Sequence, residues 1–160
     1  MRRTLLCLAA MLAAQFAAAA SIRLDDSASP KARFDLQPGW QYEGEEIGDA
    51  DRLNALVARA SAVEVRLNTA AIVGKRGRIF IVLPQNIAGL DSPDALRMQW
   101  TARGPFKSGT VLPGGRTLLY DGLVDSPLTR DVLDFTIFFD ARHTPGGLRL
   151  ETYFEFDPAS

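Results

Sequence analysis

The chain has 160 residues, of which 47% are apolar and 23% charged, and a formal net charge of −1. This length suits one domain with its own hydrophobic core, and this composition excludes a globally disordered chain. Without Arg2 and Arg3, which belong to the leader described next, 16 of the 18 basic residues remain against 19 acidic ones. The resulting charge of −3 argues against a nucleic-acid-binding surface.

The first twenty residues have the pattern of a secretory signal peptide. Arg2 and Arg3 form a positive start, residues 5–16 are mostly apolar, and residues 18–20 are alanines that suit a cleavage site. The apolar part is short for a membrane span. We therefore predict that residues 1–20 are removed, leaving a periplasmic or secreted protein without a stable membrane span.

The single cysteine, Cys7, lies inside this leader. A lipoprotein carries its modified cysteine after the apolar segment, whereas Cys7 precedes most of it, so we predict no lipid anchor. The mature chain then has no cysteine. Disulfide bonds, thiolate chemistry and cysteine-ligated metals are excluded for it.

Residues 21–33 are polar and include a proline, a composition typical of a flexible N-terminal segment. We predict that residues 34–160 form a single domain. Its first apolar positions, Phe34 and Leu36, alternate with polar neighbours as in a short strand.

One helix is predicted, over residues 49–60. Leu53, Leu56, Val57 and Ala60 recur at helical spacing, and aspartates at its start suit the exposed amides of a first turn. A helix this short needs support from the rest of the fold.

From residue 63 onward the apolar pattern has the period of two that is typical of strands. Residues 63–67 and 96–102 alternate, whereas residues 79–83 are continuously apolar, as in a central strand covered on both sides. Residues 74–78 read as a solvated hairpin turn. Residues 108–124 read as a hairpin that turns at Pro113-Gly114-Gly115, where glycine can adopt positive φ.

The last two strands, residues 134–140 and 148–156, are predicted to form a second hairpin. Pairing Phe139 with Leu150 places Asp140 opposite Arg149, which is a favourable cross-strand charge pair. Altogether eight or nine short strands are separated by turn signals. This pattern predicts an all-β fold, an immunoglobulin-like antiparallel β-sandwich with one short helix.

The only histidine, His143, falls in the loop of that second hairpin. A catalytic histidine needs a positioned nucleophile and an orienting acid, and the sequence has no G-x-S-x-G motif. We therefore predict a loop histidine, no catalytic residues and no enzymatic activity.

The sequence predicts no metal and no cofactor. One histidine without cysteines cannot build a common zinc site. Residues 43–51 hold five acids but lack the alternating EF-hand pattern, so calcium binding is the weaker interpretation. Residues 74–78 combine glycines with three cations, but the apolar strand that follows provides no helix N-terminus for a phosphate.

Four aromatic residues are the candidate partner or ligand surface. If the odd-numbered residues of the strand before His143 face the core, Phe138 faces outward, and Tyr153 faces outward from the strand predicted to pair with it. Trp40 and Tyr42 share one face of their own strand. The alternative for all four is burial, in the core or beneath another segment.

These features support two hypotheses of function. The first is an exported, non-enzymatic module that binds a protein partner or contributes to an envelope or surface assembly. The second is a small secreted carbohydrate-binding module or hydrolase, in which the aromatic side chains stack on a sugar. A fimbrial subunit that donates a strand is disfavoured, because only Ile22 and Leu24 supply apolar positions at the mature N-terminus.

Overall fold

The computed structural model describes residues 20–30, 39–40, 54–143 and 148–159, with only the backbone of residues 39–40. Within these ranges the protein is mainly β, and nine strands form two antiparallel sheets. The strands are β1 (Ile22–Leu24), β2 (Gly39–Trp40), β3 (Ala55–Asn68), β4 (Arg76–Val82), β5 (Leu96–Ala102), β6 (Gly109–Val111), β7 (Arg116–Leu123), β8 (Leu128–Asp140) and β9 (Tyr153–Pro158). Short 3-10 turns cover Ala70–Ile72, Pro93–Ala95 and Ala141–His143.

The strand order differs from that of an immunoglobulin domain. One sheet has the order β1-β9-β4-β7 and the other the order β2-β3-β8-β5-β6. In an immunoglobulin constant domain the first strand lies beside the second, whereas here the first strand pairs with the last. The predicted all-β sandwich of two antiparallel sheets is confirmed, whereas its immunoglobulin-like type is not. With the two-residue β2 set aside, the order is that of a jelly roll, another two-sheet antiparallel architecture.

The core lies between the two sheets and draws side chains from both. Trp100 of the five-stranded sheet and Phe156 of the four-stranded sheet are its largest fully buried members. The indole nitrogen of Trp100 donates to the carbonyl of Lys107 at 2.9 Å, which satisfies its one polar group. The other large apolar side chains that are fully buried are Leu67, Ile72, Ile79, Ile81, Leu83, Leu96, Leu119, Val124 and Leu133.

The predicted helix is wrong for residues 55–60, which belong to strand β3, and residues 49–53 lie outside the described ranges. Backbone pairing with β8 occupies this stretch. Ala58 and Ala60 face the core, while Val57 is buried on the other face of the same strand. Apolar residues on both faces of a strand produced the spacing that resembles a helix.

A β-bulge at Ser61 and Ala62 explains why the strand pattern was clear only after residue 63. The register with β8 shifts between Ala60 and Val63, and Ala62 has a φ of 57°. The extra residue changes the parity of the core-facing positions from even to odd numbers. The Asp134 carboxylate of β8 accepts a hydrogen bond from the Ala62 amide at 2.8 Å and so stabilises the bulge.

Two single-strand predictions agree with the structure. Strand β5 alternates between buried and exposed residues along its length. Strand β4 lies between β9 and β7, in the interior of its sheet. Phe80, on the outer face of β4, is only half-buried. The prediction that β4 is covered on both faces therefore overestimated the burial of this face. The predicted turn at residues 74–78 is not a hairpin, since β3 and β4 lie in different sheets.

Neither of the two predicted hairpins, over residues 108–124 and over residues 134–156, forms. Strand β6 pairs with β5, and β7 pairs with β4 in the other sheet. Gly114 has the predicted positive φ, 76°, but its amide donates to the carbonyl of Leu83. The Leu83 amide in turn donates to Gly115, so the turn joins β7 to the end of β4.

The second hairpin fails because β3 and β5 occupy both edges of β8. Strand β9 therefore pairs with β1 and β4 in the opposite sheet. The predicted pairing of Phe139 with Leu150 is wrong, and Arg149 instead forms an isolated bridge with Ala88.

Residues 21–30 of the N-terminal segment include a short strand. Strand β1 pairs with β9, and Leu24 is buried. The Ser29 hydroxyl then bonds both the amide and the carbonyl of Arg66, at 2.8 and 3.2 Å. Residues 21–30 thus bridge the two sheets, and the predicted signal peptide, but for its last residue, lies outside the described ranges.

Candidate functional site

The structure separates the two outward aromatic residues that the sequence placed side by side. Phe138 lies on the outer face of the five-stranded sheet and Tyr153 on the outer face of the four-stranded sheet, and both are half-buried. They are therefore on opposite sides of the sandwich, not on neighbouring strands. Trp40 lies in β2, and its backbone pairs with Leu56 of β3. The side chain of Trp40 and the whole of Tyr42 lie outside the described part of the chain.

Phe138 occupies the central strand of its sheet, between Val57 of β3 and Arg97 of β5. The Arg97 guanidinium carbon lies 4.5 Å from the centroid of the Phe138 ring. This distance is within the range of a cation–π interaction. One face of the ring is therefore covered by an exposed cation.

A groove of about 370 Å³ begins at this pair. Leu112 and Phe138 give it apolar walls, while Asp94, Arg97 and Asp140 supply charge. Leu112 is 56% exposed, an unusually large fraction for a leucine of this fold. The groove thus joins an apolar floor to a charged rim, as the contact surfaces of protein complexes do.

The charges at the groove differ in their bonding. Asp140 accepts hydrogen bonds from Arg142, with a shortest nitrogen–oxygen distance of 2.6 Å. These bonds lower the pKa of Asp140 to about 2, so it is ionised at neutral pH. Arg97, by contrast, makes no ion pair with any residue of the described ranges. Its guanidinium donors are available to an external carboxylate.

The opposite face carries a denser network of arginine and aromatic side chains. Arg23 lies 4.5 Å from the Tyr153 ring centroid, and Arg116 lies 3.9 Å from that of Phe80. Arg116 also bonds Asp157 at 2.7 Å. We did not predict a surface role for Phe80, because its apolar neighbours in the sequence indicated burial. Arg116 comes from β7, the neighbour of β4 in the sheet, and a single sequence does not reveal which strands pair.

His143 lies in the 3-10 turn that follows β8 and is half-exposed. Its backbone carbonyl accepts the amide of Asp91 at 3.0 Å. In the ranges that the structure describes, no group of three or more histidine, cysteine, aspartate or glutamate side chains could hold a metal ion. The acidic residues 43–51 lie outside those ranges.

No protein-family model matches the chain, and comparison with curated proteins and with solved structures finds no match. The part of the chain that the structure describes contains no helix with the length and apolar character needed to cross a bilayer. The two sheet faces are therefore the features from which a function is inferred.

Proposed function

We propose that the chain is an exported, non-enzymatic β-sandwich module that binds a protein partner through the groove beside Phe138. The observation that carries this proposal is Arg97, an exposed arginine stacked on an aromatic ring without an ion-pair partner in the described ranges. Arginine and aromatic residues are enriched among the side chains that dominate the energy of protein interfaces.

The chemistry of the groove indicates the kind of partner. A guanidinium binds a carboxylate through two parallel hydrogen bonds. Leu112 and the exposed part of Phe138 offer apolar area next to it. The matching surface on a partner combines an aspartate or glutamate with an adjoining apolar side chain.

The alternative is binding of a carbohydrate. A sugar needs a free aromatic face, and Arg97 covers one face of Phe138. Tyr153 is covered in the same way by Arg23. Both candidate platforms are therefore partly occupied, and the protein-binding hypothesis is the better supported of the two.

Capture of partners by immobilised residues 21–160 tests the proposal. An extract of the source organism's exported proteins is passed over the wild-type chain, over Phe138→Ser and over Tyr153→Ser, a matched aromatic substitution on the opposite face. We expect a discrete protein that the wild-type chain and Tyr153→Ser retain and Phe138→Ser loses.

The captured protein is then purified, and its binding is reproduced with the two components alone. Equal retention by all three chains would contradict the role of the groove. Retardation of the wild-type chain in polysaccharide-containing native gels, lost in Phe138→Ser, would favour the carbohydrate alternative.

A further inference from the structure

A cavity of about 310 Å³ opens between the two sheets, on the side where β3 faces the chain leading into β9. Its inner wall consists of apolar side chains that are at most 6% exposed and come from four strands. They are Ala60, Val65, Met98, Ile137 and Phe154. The cavity therefore reaches into the core and is not only a surface depression.

The size and lining of the cavity suit an apolar guest. An apolar cavity of about 150 Å³ stays dry and binds benzene, so roughly twice that volume has room for a chain of about ten carbon atoms. A water molecule at the inner wall would find no hydrogen-bond partner among these side chains, so binding of water there is unfavourable. Met98 adds a flexible side chain that adapts to the shape of a guest.

The mouth of the cavity is polar and carries two carboxylates, those of Asp26 and Glu64. The Glu64 carboxylate is neutralised by Arg66, which donates to both of its oxygens at 2.8 Å. The Ser29 hydroxyl at the mouth is engaged by the backbone of Arg66.

Asp26 differs from Glu64 in having no such partner. Its carboxylate is half-buried, and no cation of the described ranges forms an ion pair with it. A half-buried carboxylate without a counter-ion attracts a cation and repels an anion. The charge at the mouth thus selects the head group of a guest whose apolar part enters the core.

We propose that this cavity binds a single-chain amphiphile with an apolar tail of about ten carbon atoms and a cationic ammonium head. The tail packs between the sheets against Met98 and Ile137, and the head pairs with Asp26. None of these residues lines the groove beside Phe138. Amphiphile binding and partner binding are therefore separate properties, and either can fail without the other.

Calorimetric titration of residues 21–160 with decylamine and decanoate below their micelle concentrations, and with decanol below its solubility, tests the proposal. We expect saturable binding of decylamine at one site per chain. Its affinity should be at least about tenfold higher than that of decanoate, because Asp26 attracts the ammonium head and repels the carboxylate head. Absence of saturable decylamine binding, or equal affinity for decanoate, would overturn the proposal.

Two variants separate the contributions of head and tail. Asp26→Asn should weaken decylamine binding about fivefold or more and leave decanol binding unchanged. Ala60→Leu, which fills part of the cavity, should lower the affinity for all three ligands by a similar factor. If Ala60→Leu fails to fold, Asp26→Asn alone decides, and unchanged decylamine affinity in that variant refutes the assigned head-group site.

Discussion

At the scale of single residues, a buried carboxylate organises the connection between β5 and β6. Asp131 is 6% exposed and accepts the amides of Phe106 at 2.8 Å and of Val132 at 2.6 Å. A Cβ on Gly104 would lie 2.8 Å from one of its oxygens, so the loop passes close to this carboxylate. The side chain thus replaces a backbone partner for a buried amide.

Replacement of Asp131 tests this role. We expect Asp131→Ala to lower the free energy of unfolding by about 2 kcal/mol, because it leaves the buried Phe106 amide without an acceptor. Asp131→Asn should cost less, since its amide oxygen still accepts one bond. Urea denaturation measures both. Equal stability of Asp131→Ala and the wild-type chain would show that the loop does not depend on this carboxylate.

The candidate site was only partly predictable at this scale. Alternation correctly indicates that Phe138 and Tyr153 point away from the core. It cannot indicate which residues lie across from them, since that depends on register with β5 and β1. The arginines that cover the two rings come from these distant strands. The sequence alone therefore overestimated the ring area that a ligand can reach.

At the scale of elements, β4 and β9 approach closely at Gly77. A Cβ built there would collide with the Phe156 ring, at 2.5 Å, and with the carbonyl of Asp157. Phe156 is fully buried, so the ring can move only by displacing other core side chains. The pairing of these two strands therefore depends on the missing side chain of Gly77.

Gly77→Ala should destabilise the protein by about 1–3 kcal/mol through overpacking. Gly74→Ala is the matched control: Gly74 has a φ of 80° but no atom within 4 Å of its built Cβ, so only backbone strain opposes the substitution. We expect Gly77→Ala to be the more destabilising of the two in chemical denaturation. The reverse order would contradict the close approach of β4 and β9.

Individual strands were easier to predict than their partners. The regular alternation of β5 is a local property of seven residues. The helix predicted over residues 49–60 failed because residues 55–60 are apolar on both faces of β3 and the bulge at Ala62 breaks the period of two. The two hairpins failed because local turn signals do not indicate whether the next strand stays in the same sheet.

At the scale of the whole molecule, several carboxylates accept hydrogen bonds from basic or hydroxyl side chains. Hydrogen bonds from Arg142 lower the pKa of Asp140 to about 2, and a hydrogen bond from Ser21 is the largest cause of the lowered pKa of Asp157. Hydrogen bonds from Arg103 lower that of Asp134. Each group has a lower pKa in the folded state than in the unfolded chain.

These pKa shifts predict an acid-sensitive fold. A carboxylate with a depressed folded pKa stabilises the fold above its unfolded pKa, and the stabilisation is lost as the pH falls through the folded value. We expect a nearly constant thermal midpoint from about pH 7 to 5 and a decrease between about pH 4 and 2. Asp140→Asn should flatten part of that decrease. A midpoint that is unchanged down to pH 2 would contradict the shifts.

The two-sheet architecture follows from sequence pattern, but the jelly-roll order does not. It depends on the pairing of β1 with β9, in which Leu24 lies opposite Phe154, 130 residues further along the chain. Such pairings leave no local signal. Since one fold can host many functions, we infer the function from the surface at Phe138 and Arg97 and not from the fold.

The most direct test of that argument is the affinity of the purified partner for two charge-reversed chains, Arg97→Glu and Arg23→Glu. Both substitutions reverse an exposed arginine stacked on an aromatic ring, on opposite faces of the sandwich. The proposed interface predicts a loss of about tenfold or more for Arg97→Glu and less than about twofold for Arg23→Glu. Equal losses, or a larger loss for Arg23→Glu, would contradict partner binding at the groove beside Phe138.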